Sequence, residues 1–202
     1  MPLGRFHLRR RWAILAVVLL ALVAVLGQAS CATTIVPPEE VEDPVRVHVI
    51  DYGRHSSLVL PGEEGALIEY AYGEYRWFAE GESQWYRVPA TMLFPTEGTL
   101  GRLEVTPPRA DIDRIARGAR YLSFDVDASR AADLQSELDE QFEAGGESIV
   151  NPAMGALEFV THPDRYSLFY NCNHATAAWL RELDCRIVGW PVLSNFRLRE
   201  QD

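Results

Sequence analysis

The chain contains no lysine; its 19 basic residues are all arginine, a compositional habit rather than a mechanism. Cysteine is almost as scarce, with only Cys31, Cys172 and Cys185. Three cysteines do not make a disulfide framework. If Cys31 is modified or cleaved away, Cys172 and Cys185 are left able to pair in an oxidising compartment. There is no glycine-rich phosphate loop, no Gly-x-Ser-x-Gly elbow and no internal repeat. The Cys172-x-His174 spacing fits no zinc pattern built from two spaced ligand pairs, so neither a metal nor a cofactor is expected. Net positive charge is missing too: the formal charge over 202 residues is −10. Removing the first 31 residues, which hold four arginines and no acid, takes it from −10 to −14. An acidic body lacks the clustered cations that nucleic acid requires.

What is present begins with Arg5, Arg9, Arg10 and Arg11, followed by an uncharged apolar run from Trp12 to Gly27. A basic start and such a run read as a signal peptide or membrane anchor over 1–32, although it is shorter than the roughly 20 residues that span a bilayer comfortably. Cys31, after Ala29 and Ser30, looks like a bacterial lipoprotein attachment site, with Gln28 where an aliphatic residue is usual. The protein is therefore expected to be exported, periplasmic or at the cell surface, and membrane-tethered. Residues 33–44, rich in proline and acid, read as a linker with nothing to bury. A single domain is expected over 45–202.

Within it, Val45, Val47 and Val49 alternate with Arg46, His48 and Ile50, the period of a strand. Asp51-Tyr52-Gly53 turns the chain into a second strand over 54–60, and Leu67–Tyr72 supplies a third, so an antiparallel meander is expected. Residues 74–97 are rich in aromatics, Trp77 among them, which pack as core or line a substrate groove. Thr99–Thr106 reads as another strand, and 111–122 has helical spacing. Ser129–Phe142 is an amphipathic helix with Leu134, Leu138 and Phe142 on one face. Residues 151–166 read as irregular, 186–190 as a last strand, and 191–202 as a polar tail.

The chemistry concentrates at Asn171-Cys172-Asn173-His174. Asn171 is a good helix N-cap, which puts Cys172 at a helix start, where free amides and the dipole favour a thiolate. The other reading is a buried structural cysteine, since free cysteines are among the most buried residues. A nucleophile needs a base and a group to orient it. His7 lies in the leader, His48 sits opposite the valines, His162 precedes a proline, and His174 lies on another side of the helix from Cys172. His55 opens a strand after Gly53 and is the candidate base. Glu69, on the next strand, is the candidate orienting acid, with Glu74 and Asp51 as substitutes.

Gly53 to Pro61, then Ala71-Tyr72-Gly73-Glu74, then Asn171 to His174, resemble the circularly permuted papain-like thiol proteins of the NlpC superfamily. These include lecithin–retinol acyltransferase-type enzymes and envelope amidase-like proteins. More narrowly, the chain is similar over about residues 45–195 to a bacterial domain-of-unknown-function family labelled "urease-associated". Ser57 stands where that family usually has Gly, and Arg54 where it has an aromatic residue. The resemblance implies an α+β fold, an antiparallel half-barrel packed against the nucleophile-bearing helix, with added helices. It implies Cys172 as nucleophile, His55 as base and then acid, Glu69 as orienting group, and the Cys172 amide in an oxyanion hole. Asn171, Asn173 and Trp77 are expected to contact substrate. The expected function is a thiol hydrolase or acyltransferase acting on a small molecule, peptidoglycan peptide or lipid-linked acyl group. The alternative is a non-catalytic envelope binding or scaffold protein.

Overall fold

The structure, a computed structural model, describes residues 15, 17–20, 32–82 and 94–199. Cys31, most of the apolar run and residues 83–93 of the aromatic stretch lie outside the described residues. Among those described, no helix is long and apolar enough to cross a membrane.

The fold is α+β, with one large antiparallel sheet and few helices. Strands β2 (Pro44–Asp51), β3 (Ser56–Pro61), β4 (Leu67–Glu74) and β5 (Thr96–Val105) form the expected meander. With β6 (Arg120–Asp127), β7 (Ile149–Val150) and β8 (Glu158–Tyr166) they make a seven-stranded sheet in the order β6-β2-β3-β4-β5-β8-β7. Alternation along the strands sends Val47, Val49, Leu58, Leu60, Tyr70 and Tyr72 to one face. Helices α3 (Ala128–Ala144) and α4 (Cys172–Glu182) cover that face through Leu134, Leu138, Ala175, Trp179 and Leu180.

The other face is covered in pieces. Ile50 and Val59 meet Ile115 on α2 (Ile112–Ala116), while Ala71 and Phe159 pack under Ala79 and Leu157. Within the second patch, α1 (Tyr75–Phe78) folds back over β4, and its Tyr75 and Phe78 pack there. It does so because Gly73 lacks a Cβ: the Phe78 ring occupies the space one would need.

Four sequence readings are corrected. Thr33–Val36 is not a linker but strand β1, the middle of a three-stranded sheet between β9 (Arg186–Val188) and β10 (Phe196–Leu198). Ile35 and Thr33 are fully buried there, so the folded body starts before Val45. The helical reading of 111–122 stops at Ala116, because Arg117 and Gly118 turn left-handed and the rest joins β6. Residues 158–166 form β8 despite Pro163, and their ladder on β5 is irregular near it. The expected polar tail contains β10, whose Phe196 is fully buried.

Candidate functional site

Cys172 is the first residue of α4. The Asn171 side chain accepts the amides of Asn173 and His174, as an N-cap does, and leaves the Cys172 amide beside its own sulfur. The start of the helix is riveted to β3. The Ser56 hydroxyl donates to Asn173 Oδ1 at 2.8 Å, and the Asn173 and Asn171 amides both donate to the Val192 carbonyl at 3.2 Å. Thr176 donates back to the Cys172 carbonyl at 3.1 Å. Asn171 and Asn173 are buried by these bonds and do not line the cavity below, so the expectation that they contact substrate is replaced by a structural role.

The His174 tautomer can be assigned from its partners. Nε2 faces the Trp190 indole N–H, which can only donate, and Nδ1 faces Asn171 Oδ1 at 3.0 Å, which can only accept. His174 is therefore neutral with its proton on Nδ1, and neither nitrogen is left for a metal. His48 and His162 are likewise engaged, with Ser123 and Gln141.

On the other side of Cys172 lies a cavity of about 370 Å³. Cys172 from α4, His55 from the turn before β3, Glu69 and Glu74 from β4 and Trp77 from α1 all line it; Phe78, Leu157 and Phe159 make its walls apolar. His55 ends the turn before β3, its ring 4.7 Å from Phe78 and stacked 5.9 Å from Tyr52 between centroids. The turn is held by Asp51: it takes the Gly53 amide and the Ser194 hydroxyl, and pairs with Arg120 at 2.6 Å. That use removes Asp51 from candidacy as the orienting acid. Glu74 is removed as well, since its carboxylate caps α1 through the Trp77 amide at 2.8 Å.

Glu69 sits opposite Val59 in the ladder and on the face that His55 and Ser57 share. Its Oε1 accepts from Tyr52 at 2.8 Å and Ser57 at 2.7 Å. Arg117 Nη1 stands 3.6 Å from Oε2, and its Nη2 donates to the Tyr52 hydroxyl at 2.8 Å. No hydrogen bond joins Glu69 to His55, and none joins His55 to Cys172. Glu69 Oε2 and His55 Nδ1 are both buried without a hydrogen-bond partner. Two orphaned polar atoms in one cavity are unusual, because buried polar groups are nearly always paired.

The electrostatics differ from the thiolate expectation. Burial pushes the Cys172 thiol up to about 11, outweighing the Ser56 and Asn173 amides and the Tyr166 hydroxyl, which favour the thiolate. Burial, and then the Arg117 charge, pushes His55 down to about 4. Glu69 is raised by burial, against the pull of Ser57, Arg117 and Tyr52. At neutral pH the site holds a thiol and a neutral imidazole, not an ion pair.

Tyr52, Ser57, Arg117 and Tyr166 were not picked out from sequence. Only Ser57 carried a signal, being adjacent to His55 in alternation; Arg117 and Tyr166 reach the cavity through a helix stop and a strand that the periodicity misread. Cys172 and Cys185 are both free thiols. No protein-family model, no curated protein and no solved structure matches the chain.

Proposed function

We propose that the protein is a thiol hydrolase or acyltransferase of permuted papain-like architecture, working through an acyl-enzyme on Cys172. The observation that carries this reading is that Cys172, His55 and Glu69 line one apolar-walled cavity, although His55 and Cys172 are 117 positions apart in the chain.

The reaction starts from the neutral pair. The Cys172 sulfur attacks the carbonyl carbon of an amide, ester or thioester as its proton passes to the free nitrogen pair of His55. The carbonyl electrons move to oxygen, and the Cys172 amide, left free by the Asn171 cap, donates to that oxyanion. His55 then returns the proton to the leaving amine, alcohol or thiol, and the carbon–sulfur acyl bond remains. Water, or a second nucleophile, resolves it. A turn of the cysteine side chain or one bridging water carries the first proton, since catalytic hydrogen bonds are often long before substrate binds. The apolar walls suit an acyl or apolar peptide substrate of the cell envelope, which the N-terminal apolar run favours as the place of work.

A second reading, a non-catalytic envelope binding module, is favoured by one observation: the thiol is only 3% exposed. The pH dependence of iodoacetamide alkylation at Cys172, followed by mass spectrometry, separates the two. In the catalytic reading the wild type reacts at pH 7 and slows as His55 protonates near pH 4, whereas His55→Ala behaves as a thiol of pKa about 11. Identical profiles in both proteins end the catalytic reading.

A further inference from the structure

The three-stranded sheet has an outer face that nothing in the described chain covers. The registers set Thr34 beside Val188 and Arg197, and Val36 beside Arg186. Ile35, Ile187 and Phe196 turn the opposite way, into the main core. Arg186, Val188 and Arg197 are exposed. In a chain of charge −10 this face holds two arginines and no acid, and neither arginine is ion-paired among the described residues. At one end the backbone turns through Gly189 to Trp190 and Leu193, which with Val188 stand 43–47% exposed.

The chain enters the fold at the same place. The Ala32 carbonyl oxygen lies 3.0 Å from where Gly189 would carry a Cβ, and the Thr33 amide donates to Asn195 at 3.4 Å. Ala32 alone separates Cys31 from β1. The apolar run ends at Gly27, five residues before Ala32; at roughly 3.5 Å per residue the run and this face stand no more than about 20 Å apart. Leu15 and Val17–Leu20, the described helical part of the run, are 58–69% exposed, so the domain gives them no cover.

We propose that this face, Arg186, Val188, Trp190, Leu193 and Arg197, docks on a lipid bilayer with anionic headgroups. The guanidinium groups suit lipid phosphates, and an indole beside exposed aliphatic side chains suits the headgroup–acyl boundary. The proposal rests on the run 12–27 entering the membrane and is independent of the chemistry at Cys172. It replaces a flexible tether with a domain held flush on its membrane. Self-pairing of the face is the other occupant; it sets arginine against arginine across a two-fold axis and is disfavoured.

The test uses the full chain in nanodiscs of phosphatidylglycerol or phosphatidylcholine with brominated acyl chains, which quench tryptophan on contact. Subtracting Trp190→Phe fluorescence from wild type isolates Trp190. The expected result is a Trp190 signal quenched in phosphatidylglycerol, less so in phosphatidylcholine, with the difference lost in Arg186→Gln/Arg197→Gln. Because Trp190→Phe also removes the bond to His174, Val188→Asp, which leaves that bond intact, serves as a second variant and should lose the same quenching. An unquenched Trp190 in discs that quench the other tryptophans overturns the docking face while leaving the anchor. Absence of all quenching overturns both anchor and face. Trp190 quenching that vanishes at one protein per disc assigns the face to a second copy and overturns the bilayer.

Discussion

Two polar clusters flank the turn from Tyr52 to His55, and they are built to different standards. Behind the turn, Ser56, Asn171, Asn173, Thr176, His174 and Trp190 form a network that holds the start of α4 to β3. In front of it, Tyr52, Ser57, Glu69, Arg117 and His55 gather around a cavity in which one carboxylate oxygen, 3.6 Å from Arg117, and one imidazole nitrogen have no hydrogen-bond partner. Satisfied networks rigidify; a partly satisfied one in a cavity is tolerated where function needs it. The first cluster places the sulfur, and the second is where we propose that substrate binds.

Substitutions on the two sides should therefore fail differently. The largest effect is expected at His55. His55→Ala should lower Cys172 alkylation at pH 7 by about 100-fold or more, the usual worth of a positioned base, with little loss of fold. An effect below a few-fold would make the front cluster as structural as the back one.

Acid should also find His55. Its pKa is about 4 when folded against an ordinary 6.5, so the unfolded chain binds more protons between those values. Stability is full above pH 6.5 and falls as pH drops toward 4, by up to about 3 kcal/mol at 1.36 kcal/mol per unit. Urea unfolding at a series of pH values should show His55→Gln losing this share of the acid sensitivity.

On the back side, Asn173→Ala removes one of two partners from both the Ser56 hydroxyl, which keeps Thr176, and the Val192 carbonyl, which keeps Asn171. It should cost about 1 kcal/mol in urea midpoint analysis, with no change in the pH profile of Cys172 beyond that of unfolding. A variant of unchanged stability would remove the contrast between the clusters.

The smallest effect is expected at Glu69. Burial raises its folded pKa above the ordinary 4.5, so its contribution is present below that value and is lost as pH rises through the folded one. Glu69→Gln keeps an acceptor for Tyr52 and Ser57 and should flatten this fall, measured by the same titration. A variant that steepens it would mean that the Arg117 pairing dominates burial.

Much of this was legible in the residues. Alternation at Val45–Ile50 and the Leu134, Leu138, Phe142 spacing identified β2 and α3, because one-sided burial imposes a period. The Asn171 cap located the start of α4 to the residue. His55 and Cys172 were singled out, and both line the cavity. The site's inner partners were not legible: Arg117 reaches Glu69 only because a left-handed turn ends α2, and nothing in local spacing reports that reach. The thiolate expectation was reversed for the same reason: a helix start lowers a thiol pKa, but the depth of burial, which local sequence does not state, weighs more here.

Strand β1 shows the limit most plainly. Thr33–Val36 has too few apolar residues to argue for itself, and it orders because β9 and β10, more than 140 residues later, leave a slot for it. By itself the sequence determined periodic elements, caps and turns, since these depend on neighbours within a few residues. Which polar atoms are satisfied, which thiol is buried and which arginine faces which carboxylate were decided only by tertiary structure, because these depend on distances between residues far apart in the chain.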